Sequence, residues 1–128
     1  MREHRVQTRW RDLDGLGHVG HSVALVYLEE GRDAFLASHG ISRRDYVVGR
    51  CEVTFRREVE AGLGEIVAGC EAAKVGRSSL VTREEIRDAA GDVLIEAEFG
   101  LVLWDADRRE SRPLTDAERA SLTAGSPA

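Results

Sequence analysis

The sequence predicts an α+β fold, one long central helix wrapped by a curved antiparallel sheet of about five strands. Three observations carry that expectation. Residues 21–39 set Ala24, Leu28, Gly31 and Phe35 at helical spacing, and Gly40 stands where such a helix would end. From residue 47 onward apolar and polar residues alternate through several stretches, the period of a half-buried strand. Clusters of Gly, Asp and Ser separate those stretches and read as turns.

The elements follow in order. Val6, Thr8 and Trp10 alternate with polar neighbours and predict a short first strand over residues 6–10. A glycine-rich turn spans residues 12–20 and leads into the helix. The first half of that helix, residues 23–28, is apolar nearly all round, so it should be wrapped and not merely laid on a surface. Its second half carries Glu29, Glu30, Arg32 and Asp33 and should meet water or a polar site. Cys51, Val53 and Phe55 then alternate with charged or polar residues, and Ile66, Ala68, Cys70 and Ala72 repeat the pattern. A turn at Gly76, Arg77 and Ser78 opens a strand over residues 79–87, and residues 88–92 form a hairpin connection. The last strand puts Val93, Ile95, Ala97, Phe99, Leu101 and Leu103 on one face. Beyond a charged segment and Pro113, Thr115 with Glu118 three residues later forms a capping box that starts a short helix. We expect one domain over residues 1–123 and a flexible tail at 124–128.

Bulk composition narrows the function. The 128 residues suit one domain, and 42% hydrophobic residues are enough for a core. A formal net charge of -5 argues against a general nucleic-acid binder. The basic residues are almost all arginine, Lys74 being the one lysine, so a phosphate-bearing ligand can still be gripped locally. No leader follows Met1 and no apolar run is long enough to span a bilayer, which points to a cytoplasmic protein with no membrane partner. Cys51 and Cys70 lie outside any CxxC motif and read as reduced, buried thiols.

The chemistry concentrates in residues 9–32. Asp14 stands a few residues upstream of a helix start, with glycines at 15, 17 and 20. A helix start offers unpaired N–H groups and partial positive charge, and glycines let a substrate approach that backbone. Together they supply an oxyanion-binding end and a carboxylate base or nucleophile. Asp12 reads as a turn residue. His18 and His21 beside two aspartates also suit a metal, but a glycine-rich turn holds such ligands poorly, so no metal is expected.

This segment resembles the signature of 4-hydroxybenzoyl-CoA-type thioesterases, Asp-x-Asp-x-x-Gly-His-Val-Asn-Asn followed by a helix ending in Glu-Glu-x-Arg. It stands here as Asp12, Asp14, Gly17, His18 and Val19, then Glu29, Glu30 and Arg32. The resemblance implies a hot-dog fold and hydrolysis of an acyl-CoA or acyl-carrier-protein thioester. It places the catalytic aspartate on Asp14 and the oxyanion and substrate contacts on Gly17, His18, Val19, Gly20 and His21. Some hot-dog thioesterases carry the catalytic carboxylate on the helix, and Glu29 fits that spacing from His21; the plain alternative pairs Glu29 with Arg32. Arg77 lies in a turn that the family sets near the thioester, which makes it the candidate for CoA phosphates. No cofactor is needed, because a thioester is already activated. The family and the open sheet edges imply a homodimer or homotetramer. Two departures stand out. Gly20 and His21 replace the Asn pair, and Ala24 replaces a tyrosine, implying a roomier acyl pocket. A non-catalytic protein that only binds acyl thioesters is the alternative.

Overall fold

A computed structural model describes residues 1–9, 15, 20–59 and 65–124. Six strands form one antiparallel sheet: β1 (Arg2–Gln7), β2 (Tyr46–Phe55), β3 (Glu65–Val75), β4 (Ser79–Arg87), β5 (Val93–Asp105) and the short β6 (Glu110–Ser111). The strand order is β1-β3-β4-β5-β2, with β6 attached to β5. Consecutive strands β3, β4 and β5 make adjacent hairpins, whereas β1 and β2 reach the two edges after long connections. Helix α1 (His21–Ala37) packs on β3, β1 and β4, and α2 (Asp116–Ala124) touches β3.

The alternation read in the sequence decides which face is buried. On β5, Ile95, Ala97, Phe99, Leu101 and Leu103 all point into the core, and on β4 so do Leu80, Thr82, Glu84 and Ile86. The helix meets them with Ala24, Tyr27, Leu28, Gly31, Arg32, Phe35 and Leu36. Gly31 marks the closest approach. A Cβ built there would lie 2.7 Å from the Ala68 Cβ, so any larger residue would push the helix off β3. Gly40, at φ +77, turns the chain after the helix in a conformation that favours glycine.

Several expectations are corrected. The sheet has six strands, and the extra one arises because the charged segment folds back at Trp104↔Ser111 and Asp105↔Glu110. The first strand lies earlier than residues 6–10, because the ladder pairs Arg2↔Cys70 through Gln7↔Glu65 and uses residues that show no apolar alternation. The helix has 17 residues and stops at Ala37, shorter than the run to residue 39. Its first half is not wrapped within the chain: Leu25 and Val26 are 40% and 47% exposed. Cys70 is buried and Cys51 is exposed, both as free thiols, because Cys51 sits on edge strand β2. Of the tail, residues 125–128 lie outside the described residues. No helix among the described residues is long and apolar enough to cross a membrane.

Candidate active site

Helix α1 begins at His21 behind Gly20, whose backbone is extended at φ -66 and ψ 156. Glycine has no side chain to cap the helix, and no acidic residue stands in the first turn. The first helical hydrogen bond runs from the Ala24 N–H to the Gly20 carbonyl at 3.0 Å. Gly20 supplies no side-chain cap, and a helix start offers leading N–H groups and a positive end to an incoming oxygen. His21 is exposed, and its ring lies against Phe55 at the end of β2, with centroids 4.7 Å apart and planes 53° apart.

Asp14, Gly17, His18 and Val19 lie outside the described residues, so of the N-terminal motif only Gly20 and His21 can be located. Glu29 is exposed and pairs with Arg43 at 3.8 Å. The expected partner Arg32 turns inward instead. Its Nε and Nη2 donate to the Glu84 carboxylate at 2.8 and 3.1 Å, and its guanidinium carbon stands 3.8 Å over the Phe99 ring. Burial alone would lower the Arg32 pKa, but the hydrogen bonds and charge of Glu84 outweigh it and hold Arg32 above its ordinary value. Ala24 is 1% exposed and packs in the core, so its small side chain does not open onto the surface.

Arg77 is exposed at the turn between β3 and β4. Its carbonyl accepts from the Leu114 N–H at 2.9 Å, and the neighbouring Ser78 carbonyl accepts from the Leu103 N–H at 2.8 Å. Phe55, by contrast, pairs with Ile95 near the start of β5. At about 3.3 Å per residue, that sets Arg77 and His21 near opposite ends of a strand stretch about 26 Å long. Within one chain the structure does not bring them together.

Two groups escaped the sequence. Tyr46 donates to the Asp33 carboxylate at 2.7 Å, and burial followed by that carboxylate raises the phenol pKa. Glu30 has a carboxylate oxygen shut off from solvent with no hydrogen-bond partner among the described residues. Nothing in the spacing of Glu29 and Glu30 tells which of them is half-buried, because both sit where the apolar stripe ends. Among the described residues, no three His, Cys, Asp or Glu side chains gather as a metal site.

The model of the thioesterase-like superfamily matches residues 8–122. The chain belongs to that superfamily. A thioesterase from Thermus thermophilus, solved with coenzyme A and zinc, is 32% identical to this thioesterase-like chain. The match covers 98% of this chain and 96% of that one, with a TM-score of 0.86. A Staphylococcus aureus protein solved in complex with CoA is 12% identical over 95% of this chain and 81% of its own, with a TM-score of 0.85. A 1,4-dihydroxy-2-naphthoyl-CoA thioesterase from Synechocystis is 18% identical over 94% of each chain, with a TM-score of 0.80. These last two likenesses establish the hot-dog fold alone. No curated protein matches the chain. The superfamily fold accounts for the helix packed on an antiparallel sheet, and the helix start at Gly20 and His21 falls inside the matched span.

Proposed function

We propose that this thioesterase-like protein hydrolyses the thioester of an acyl-CoA or of an acyl carrier protein, giving a carboxylic acid and a free thiol. The observation that carries the reading is the uncapped start of α1 at Gly20 and His21, within a span that matches the superfamily throughout. In this reading the first-turn N–H groups of α1 hold the carbonyl oxygen as it gains negative charge. Asp14, assigned from the sequence signature, acts as base or nucleophile. Water adds its oxygen to the acyl carbon, the C–S bond breaks, and the departing sulfur leaves as the thiol with a proton. Gly17, His18 and Val19 complete the substrate-binding turn, and Glu29 is the alternative carboxylate. Glu29 is exposed and faces Arg43 at 3.8 Å, an arrangement that a solvated surface carboxylate also explains.

The CoA complex of the Thermus thermophilus relative supports an acyl-CoA ligand, with Arg77 the candidate for its phosphates. Given the separation of Arg77 from His21 in one chain, that contact would join two ends of a long ligand or two copies of the chain. We read residues 1–123 as one domain acting as a homodimer or homotetramer.

The test is thiol release from a panel of acyl-CoAs by wild type and Asp14→Asn. The variant is expected to melt at the wild-type temperature and to lose about 100-fold or more in turnover, the scale of a catalytic proton-transfer group. Full activity in the variant would shift the role to Glu29. A folded wild type that binds CoA esters but releases no thiol would favour a non-catalytic binding protein, which the Gly20 and His21 departure would then explain.

A further inference from the structure

Along the row of paired residues Phe55, Ile95, Ile86 and Ala68, the last three are at most 1% exposed while Phe55 is 45% exposed. All four side chains point to the helix side of the sheet, so Phe55 is uncovered because α1 packs over β3, β1 and β4 and not over edge strand β2. Among the described residues, the ring of His21, the first residue of α1, reaches it. At a centroid separation of 4.7 Å the two rings are in contact, and no acyl group can pass between them. They form one wall joining the helix start to the end of β2.

The geometry points to Phe55 as a residue that sets acyl specificity, excluding acyl groups that branch at the carbon next to the carbonyl. This inference rests on the thioesterase reading above. A carbonyl oxygen held on the first-turn N–H groups puts the acyl carbon beside His21, and therefore beside the Phe55 ring. A straight chain lies along the wall and leaves past Leu25, which is itself apolar and exposed. A methyl group on the adjacent carbon points into the ring. The helix fixes the His21 backbone, and Phe55 presents the larger apolar face of the wall, so the discrimination is assigned to Phe55.

The experiment compares kcat/KM for butyryl-CoA and isobutyryl-CoA, which have equal carbon number, in wild type, Phe55→Ala and Phe55→Leu. Wild type should prefer the straight chain. Phe55→Ala should raise the isobutyryl to butyryl ratio about 10-fold or more, within the range one methyl group gives in an apolar pocket. Phe55→Leu, which keeps bulk but not the ring, should fall between. Because Phe55 is exposed, both variants should fold, and melting curves verify this. An unchanged ratio in both variants, with butyryl-CoA still hydrolysed, overturns the assignment of Phe55 alone. A folded wild type without turnover on either ester overturns the hydrolase reading and this inference with it.

Discussion

Arg32 shows how one residue can hold a helix to a sheet. Its side chain is 2% exposed and that of Glu84 is fully buried, so the pair sits in the interior. Thr82 donates a further hydrogen bond to the same carboxylate. Charges removed from water are costly unless fully engaged, and here the guanidinium has a bidentate carboxylate on one side and an aromatic face on the other. Arg32→Met, which strands the Glu84 charge, should destabilise the fold by about 3–5 kcal/mol in urea titrations. The double variant Arg32→Met with Glu84→Leu should recover most of that loss; if it is no better than the single variant, pairing is not what Arg32 contributes. The sequence placed Arg32 on the polar half of the helix and offered Glu29 as its partner. Helical spacing names neighbours three or four residues away, but it cannot reveal a carboxylate 52 residues along the chain. The same limit hid Phe55 against His21, since no local spacing relates a helix start to the end of a distant strand.

Local elements were the most legible. The Thr115 and Glu118 capping box is present in both directions: the Thr115 N–H donates to the Glu118 carboxylate at 2.8 Å and the Glu118 N–H donates to the Thr115 hydroxyl at 3.1 Å. Its chemistry is written within four residues, so no tertiary information is needed. Arg112 adds two hydrogen bonds to the same carboxylate, at 2.8 and 2.9 Å. Those bonds hold the Glu118 pKa below its ordinary 4.5; burial opposes them and the Thr115 N–H assists. A depressed carboxylate pKa means the stabilisation is present above pH 4.5 and fades as pH falls through the folded value. Glu118→Gln should therefore cost about 1 kcal/mol at neutral pH, and the gap from wild type should narrow below pH 4.5. A gap independent of pH would mean that packing, and not charge, carries the effect. Strands β3, β4 and β5 were legible by alternation, but β1 and β6 were not. Their residues are mostly charged and exposed, and only the ladder partners across the sheet define them.

At the scale of the molecule, the apolar surface is unevenly distributed. Apart from Met1, the large hydrophobic residues left exposed among the described residues are Leu25 and Val26 on α1 and Val47, Val48 and Phe55 on β2. Strand β2 is an edge, so it also presents backbone groups to any strand that joins it. The open edge and its Val47 and Val48 favour a second copy pairing along β2, with Phe55 at the strand's end left beside His21. Sedimentation should then report at least twice the 14.1 kDa of one chain, and Val47→Lys with Val48→Lys should shift the population toward monomer. A wild type that sediments as monomer at micromolar concentration would remove the assembly from the reading. This part of the architecture was legible only as an open edge; which strand lay there depended on a crossover that spacing does not encode.

The contact between Gly31 and Ala68 has one more consequence. Glycine in a helix interior weakens the helix by about 1 kcal/mol relative to alanine. Residues 21–37 carry that weakness, with no side-chain cap at Gly20, and helices in proteins draw most of their stability from tertiary packing. The segment therefore owes its helicity to β3, against which glycine alone fits. The N–H groups at His21 are consequently not a preformed receptor waiting on a rigid rod. They come into register when the helix docks, so in the proposed reaction the capacity to receive a carbonyl oxygen is acquired together with the packed core.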